Sequence, residues 1–323
     1  MAYVKILGTG AYVPERVLKN SELQKMVDTS DEWITTRTGI KERRISTFED
    51  ASDLGANAAR IALENSGVSK DDIDYIIVAT ISSETLTPST ACVIQSKLEA
   101  SNATAYDLNG ACSGFMFALI QGEALIKAGK AKKVLVIGSE VLSKITNWKD
   151  RGTCVLFGDG AGAAVLGEGD KGILSTYSKS FGNLGMYLTA GGRSLGSPFI
   201  EDKLDSVDGF INMNGKEVFK FASYAMTNAV KKLCEDENIH LEDIDVIIPH
   251  QANYRIIEYA STKLNIPIEK FFIHLEKYGN TSAASVPMAM HEAIEKKIIK
   301  EDMNVVLVAF GGGLTVGAAL IKF

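Results

Sequence analysis

Proline is scarce in this chain, with 6 residues in 323, and tryptophan is scarcer, with 2. So little proline excludes a Pro-rich linker or tail as a major part of the molecule. There are 4 cysteines and no CxxC pair, so neither a metal site nor a disulfide framework is expected. No apolar run reaches 18 residues, so no membrane span is expected. The opening MAYVKILGTG lacks the charged segment and long apolar stretch of a secretion signal, and the chain reads as soluble and cytoplasmic. Positive charge is also short. The 34 Lys and Arg against 40 Asp and Glu leave a formal charge of −6, which excludes general binding of nucleic acid or anionic membrane but leaves room for a local basic patch.

Glycine is abundant, at 29 residues, which suits tight turns and close backbone approaches. Hydrophobic residues at 46% and charged residues at 23% are ordinary for a globular protein. The length is about twice that of a common domain, so two domains or one two-part body is expected.

The chain contains a repeat. DDIDYIIVAT at 71–80 returns as EDIDVIIPHQ at 242–251, with Asp74 and Asp245 separated by 171 positions. The same offset relates KVLVIG at 133–138 to NVVLVA at 304–309, the helix after Cys112 to one over 284–299, and Asn109 to Asn280. Three elements on one offset indicate a duplication, and the period is far too long for a solenoid. Each half reads as strand, helix, strand, helix, strand, giving α/β halves 1–171 and 172–323 with mixed sheets about a pseudo-twofold axis. Residues 53–66 form an amphipathic helix with Ser52 as its expected N-cap, and 218–234 read as a helical stretch. SGFMFALIQGEALI at 113–126 is apolar nearly all round, as a helix buried between sheets should be. Gly-rich 183–209 reads as a surface insertion.

Cys112 lies where a strand ends, a Gly turn follows and an apolar helix begins. The helix dipole there favours a thiolate nucleophile; a buried small hydrophobe fits the position equally. Cys92, Cys154 and Cys234 lack that setting and read as buried structural thiols. His250 follows the strand DVIIP at its C-terminal end, where open α/β sheets carry ligands, and its repeat mate is Ala79. His240, His274 and His291 have no such context. Asn280 stands in the loop equivalent to that of Cys112, where an Asx turn is the plainer reading. GTGAYVP at 8–14 lacks the third glycine of a dinucleotide fingerprint. FGDGAGAAVLG at 157–167 reads as close backbone packing, and FGGGLTVG at 310–317 suits either an oxyanion hole or a bulged turn.

Cys, His and Asn in this order describe a papain-like hydrolase, in which Asn280 orients His250. They also describe carbon–carbon bond formation between thioesters, in which Cys112 takes an acyl group and neutral His250 and Asn280 hold an enolate. The hydrolase lacks its family's CGSCW-type signature and its scaffold. A non-catalytic binding module leaves the symmetry-related clustering unexplained.

The segments DTSDEWITTRTGIKERR, ACSGF, DRGTCVLFGDGAGAAVL, GKEVFKFA, PHQANYRII and YGNTSAASVP are specific in combination. Through nearly its whole length the chain resembles the β-ketoacyl-acyl carrier protein synthase III family, thiolase-fold condensing enzymes that initiate bacterial fatty acid synthesis. The resemblance implies a five-layer thiolase-like fold, a homodimer and no bound cofactor, with coenzyme A thioester as substrate. Cys112 would be the acylated nucleophile, and His250 with Asn280 would promote decarboxylation of malonyl-acyl carrier protein. The N–H groups of Cys112 and Gly312 would bind the oxyanion. Trp33 and Arg151 would sandwich the adenine, Arg37 would meet the phosphates, and Thr29, Gly215, Phe219 and Asn253 would complete the coenzyme A path. Without the resemblance, Trp33 reads as a core residue. Lys220, Arg255 and Lys263 match positions that dock acidic acyl carrier protein. A related condensing enzyme of secondary metabolism is the alternative.

Two departures stand out. Asn109-Gly110 replaces the small residues common in the family, and Thr87 replaces a Phe that in some members crosses the dimer interface to close the acyl pocket. A smaller Thr87 is expected to admit branched or longer primers. Branched or medium-chain acyl-CoA should therefore be used at least as well as acetyl-CoA in a primer competition assay. A strong preference for acetyl-CoA would contradict this.

Overall fold

The computed structural model describes residues 3–192 and 209–323. Most of the Gly-rich stretch 183–209 lies outside the described residues. Nine strands build two mixed sheets: β1 Tyr3–Tyr12, β2 Tyr75–Ala79, β3 Thr104–Leu108, β4 Lys133–Glu140, β5 Gly160–Gly169, β6 Ile173–Ser180, β7 Val246–Pro249, β8 Asn304–Gly311 and β9 Thr315–Lys322. The first sheet runs β1-β5-β4-β2-β3 and the second β6-β9-β8-β7. A parallel bridge between Ile247 and Phe271 occupies the place that β3 holds in the first sheet. In the first sheet β1-β5 and β5-β4 are antiparallel and β4-β2 and β2-β3 parallel, and in the second β6-β9 and β9-β8 are antiparallel and β8-β7 parallel.

Seven helices matter here: α1 Asp31–Thr38, α2 Ala51–Ser66, α3 Thr90–Leu98, α4 Gly114–Lys127, α5 Gly215–Glu237, α6 Tyr254–Leu264 and α7 Ser285–Glu295. α2 and α3 cover one face of the first sheet, α5 and α6 one face of the second, and α4 and α7 lie between the sheets. These are the five layers of the expected thiolase-like α/β fold.

Strand alternation places the layers. In β4, Leu135 and Ile137 face the α2 side while Val134 and Val136 face the central helices. In β8, Val306 and Val308 face the α5 side while Val305, Leu307 and Ala309 face the centre. Both faces being buried, these strands read as continuous apolar runs.

The 171-residue offset recurs in detail. The Asp74 carboxylate accepts from the Lys133 N–H at 3.0 Å, and its mate Asp245 accepts from the Asn304 N–H, the mate of Lys133, at 2.8 Å. Single 3₁₀ turns at Ala111–Ser113 and Ser282–Ala284 open α4 and α7. Their first residues share a left-handed backbone, Ala111 at φ +46° and Ser282 at φ +49°.

One local expectation shifts. α2 is capped by Asp50 rather than Ser52, because Ala51 and Ser52 already belong to the helix. GTGAY is part of β1. A side chain on Gly8 or Gly10 would meet the α2 backbone at 2.4 or 2.2 Å, so these glycines let strand and helix close. His274 immediately precedes a short helix. Among the described residues no helix is long and apolar enough to cross a membrane.

A close backbone approach between the two halves of the core tests the packing. A Cβ on Gly138 in β4 would lie 2.2 Å from the Ala283 carbonyl oxygen, whereas one on Gly182 meets nothing within 4 Å. Gly138→Ala should cost about 2 kcal/mol or more in urea unfolding, and Gly182→Ala should stay within about 0.5 kcal/mol of the parent. Equal midpoints for the two variants would contradict this packing.

Candidate active site

The β3–α4 turn presents Cys112 at the head of the central helix. Gly311, the last residue of β8, makes the space: a Cβ there would sit 2.6 Å from the Cys112 nitrogen. Cys112 is 8% exposed. The expected low-pKa thiolate is not found. Burial pushes the thiol up to about 12, the Ser282 hydroxyl pulls it down and the Glu140 carboxylate pushes it up further. Desolvation outweighs the helix N-terminus, so the resting Cys112 side chain is a thiol.

His250 follows β7, its N–H donating to the Val308 carbonyl at 2.8 Å. Its ring packs edge-on against Phe310 with centroids 5.1 Å apart. Nδ1 lies 2.6 Å from Ser285 Oγ, the first residue of α7, which leaves Nε2 for the cavity that His250 lines. Burial lowers its pKa to about 3, so the imidazole is neutral at physiological pH.

Asn280 sits in the mate of the Cys112 turn. Its Oδ1 accepts from the Ser282 N–H at 2.9 Å, which is the Asx turn expected of it. Its backbone is fixed by Leu156 and Gly158 at 2.9 and 3.0 Å. With Oδ1 committed, the Nδ2 group remains as a donor. Ser285, not Asn280, holds His250, so the hydrolase arrangement in which Asn280 orients the imidazole is not met. Cys112, His250 and Asn280 line one cavity of about 140 Å³.

A channel leads from that cavity to the surface. Leu156, Gly215, Phe219 and Asn253 line both the cavity and a groove that reaches Trp33, Arg37 and Arg255. Gly215 opens α5, and Asn253 caps α6. Ser30 caps α1 by accepting from the Trp33 N–H, which sets Trp33 and Arg37 one turn apart. One side of Trp33 packs on the core, as its core reading required. The guanidinium carbons of Arg37 and Arg151 lie 4.7 and 4.9 Å from its ring centroid. Arg151 is anchored by donating to the Asp28 carbonyl at 2.9 Å, and Thr29, the next residue, has a buried hydroxyl with no partner. Lys220 on α5 and Arg255 and Lys263 on α6 are exposed on helices that pack together.

A second cavity, of about 400 Å³, opens on the other side of Cys112. Ile81, Leu142, Phe157, Leu188 and Ile211 give it an apolar wall, and Asn109 and Gly312 also line it. Thr87 lies on an exposed segment of the same chain, away from this wall.

The sequence reading missed this wall, and it missed Ser285, Ser282 and Glu140. The acid ending the apolar run VLVIGSE was the available signal for Glu140; nothing in the pattern marked Leu142 or Ile211. The remaining histidines are elsewhere. His274 Nδ1 is 2.7 Å from Glu292 and His291 Nδ1 is 3.1 Å from Thr9, while His240 precedes a single helical turn. Cys154 and Cys234 are buried as expected, but Cys92 is exposed, because α3 turns that face outward.

Two family models, described as 3-oxoacyl-[acyl-carrier-protein] synthase III and its C-terminal part, match residues 106–182 and 234–323. The β-ketoacyl-[acyl-carrier-protein] synthase III of Clostridium acetobutylicum is 51% identical over 100% of this chain and 99% of its own. The crystal structure of 3-oxoacyl-[acyl-carrier-protein] synthase III from Aquifex aeolicus superposes with a TM-score of 0.93 at 46% identity, covering 99% of this chain and 100% of that one. A priming β-ketosynthase from a polyketide biosynthetic pathway superposes at 0.92 with 34% identity, covering 99% and 96%. The chain belongs to the β-ketoacyl-acyl carrier protein synthase III family.

Proposed function

We propose that Cys112, His250 and Asn280 carry out the decarboxylating condensation that initiates type II fatty acid synthesis. The chain is a condensing acyltransferase of that pathway, acting on acyl-CoA and acyl carrier protein thioesters. The carrying observation is the shared cavity in which a thiol, a neutral imidazole and an amide with its oxygen already committed all meet.

Cys112 attacks the acyl-CoA carbonyl, and its own N–H with that of Gly312 holds the developing oxyanion. Coenzyme A leaves through the channel past Asn253 and Phe219, and the acyl chain lies along Leu142 and Phe157. Malonyl-acyl carrier protein then enters the same channel. His250 Nε2–H and Asn280 Nδ2–H donate to its thioester oxygen as CO2 departs, and the enolate carbon attacks the acyl-Cys112 carbonyl. A neutral imidazole suits this work, because a charged one would hand over its proton and quench the carbanion.

Trp33 and Arg151 sandwich the adenine, Arg37 meets the phosphates, and Thr29, Gly215, Phe219 and Asn253 line the path. Arg151 must leave its place over Trp33 for adenine to stack there. Lys220, Arg255 and Lys263 form the patch for acidic carrier protein. Halves 1–171 and 172–323 act as one unit. The functional species is a cytoplasmic homodimer without a cofactor, in which Thr87 of each chain borders the partner's acyl pocket.

Incubation with acyl-CoA should give one acyl adduct by intact mass spectrometry, and none on Cys112→Ala. His250→Ala and Asn280→Ala should still acylate but lose about 100-fold or more in condensation with malonyl-acyl carrier protein. Absence of an adduct on the parent protein with every primer would overturn the reading. Because burial lowers the His250 pKa, its active neutral form persists as pH falls to about 3. Condensation by pre-acylated protein should thus show no imidazole limb between pH 5.5 and 8, and a limb centred near 6.5 would contradict the neutral donor.

A further inference from the structure

Glu140 is a fully buried carboxylate that the mechanism above leaves unused. It ends β4 and is the repeat mate of Gly311, which ends β8. Gly311 gives up its side chain to admit the Cys112 turn. At the matching place the chain puts a carboxyl, packed against the turn that begins at Ser282.

Its contacts are unevenly shared. Oε2 accepts from Ser82 Oγ at 2.5 Å, the Ile81 N–H at 3.1 Å and Thr80 Oγ1 at 3.3 Å. Oε1 is buried without a partner, and so is Ser282 Oγ. The Ser282 hydroxyl is near enough to both the Cys112 thiol and Glu140 to lower the pKa of each, although it completes a full hydrogen bond to neither. Burial raises Glu140 to about 7.

Its surroundings are otherwise neutral. Thr80, Ser82 and Ser282 carry no charge. The acids on neighbouring segments bond elsewhere, Glu84 to Ser52 and Thr90, and Asp159 to Ser46 and Ser143. Cys112 is a titratable group that feels Glu140. His250 is a poor proton acceptor.

We infer that Glu140 is a positioning residue that takes and stores the Cys112 proton through the Ser282 hydroxyl. This rests on the condensing reading above. In acylation the Cys112 proton moves to Ser282 Oγ as the Ser282 proton moves to Glu140 Oε1. The sulfur attacks the thioester carbonyl, the carbon–sulfur bond to coenzyme A breaks, and the departing thiolate takes a proton from water. When the enolate later displaces Cys112 as a thiolate, the stored proton returns by the same route.

The test is the single-turnover rate of adduct formation from acetyl-CoA and isobutyryl-CoA across pH 5.5–9.5, read by rapid quench and intact mass. The wild-type rate should rise as the carboxylate forms, with a midpoint near pH 7, and then level off. Glu140→Gln keeps the shape of the group but cannot accept the proton. It should be about 100-fold slower at pH 7 and climb without a plateau. Ser282→Ala should behave the same way, and Glu140→Asp should keep a plateau. Wild-type profiles for both Glu140→Gln and Ser282→Ala would overturn the inference. If Glu140→Gln does not fold, Ser282→Ala decides alone. A normal adduct with unaltered profiles sinks only the role of Glu140; no adduct on the wild type sinks the condensing reading and this role with it.

Discussion

Everything at the site depends on two 3₁₀ turns pressed against the ends of two strands. Gly138 meets the Ala283 carbonyl and Gly311 meets the Cys112 nitrogen, each at a separation that a single methyl group would abolish. The two turns are related by the 171-residue offset, and each meets a strand of the other sheet. One turn carries Cys112, and Asn280 lies just before the other, so that the two side chains line one cavity.

This packing also fixes the protonation states. Excluding water pushes Cys112 up and His250 down, which removes the thiolate–imidazolium pair that a hydrolase of the same three residue types would use. What remains is a thiol that must shed a proton to react and two neutral donors aimed at one cavity. The donors suit an enolate made by loss of CO2, which needs no strong base. The thiol needs an acceptor of intermediate basicity, and Glu140 supplies one.

Much of this was legible in the sequence. The offset of 171 found the duplicated fold because paired strands must keep their buried patterns, and it placed Asn280 opposite Cys112. The strand–turn–helix setting located Cys112 but misjudged its ionisation, because the sequence shows the helix N-terminus and not the depth of burial. The apolar pocket wall was hidden: Ile81, Leu142, Phe157 and Ile211 come from distant segments and follow no period. Ser285 was hidden too, since its hydroxyl matters only once α7 is placed beside His250. Trp33 read both ways, and the structure sets one side of it on the core and its ring beside Arg37 and Arg151.

The central claim is that a buried, uncharged His250 is the donor. Ring nitrogen NMR of the folded protein, labelled at histidine and titrated from pH 8 to pH 5, tests it most directly. One imidazole, absent from the His250→Ala spectrum, should keep the shifts of a neutral ring throughout, with its proton on Nε2. A His250 signal that moves to the imidazolium position with a midpoint near 6.5 would contradict it.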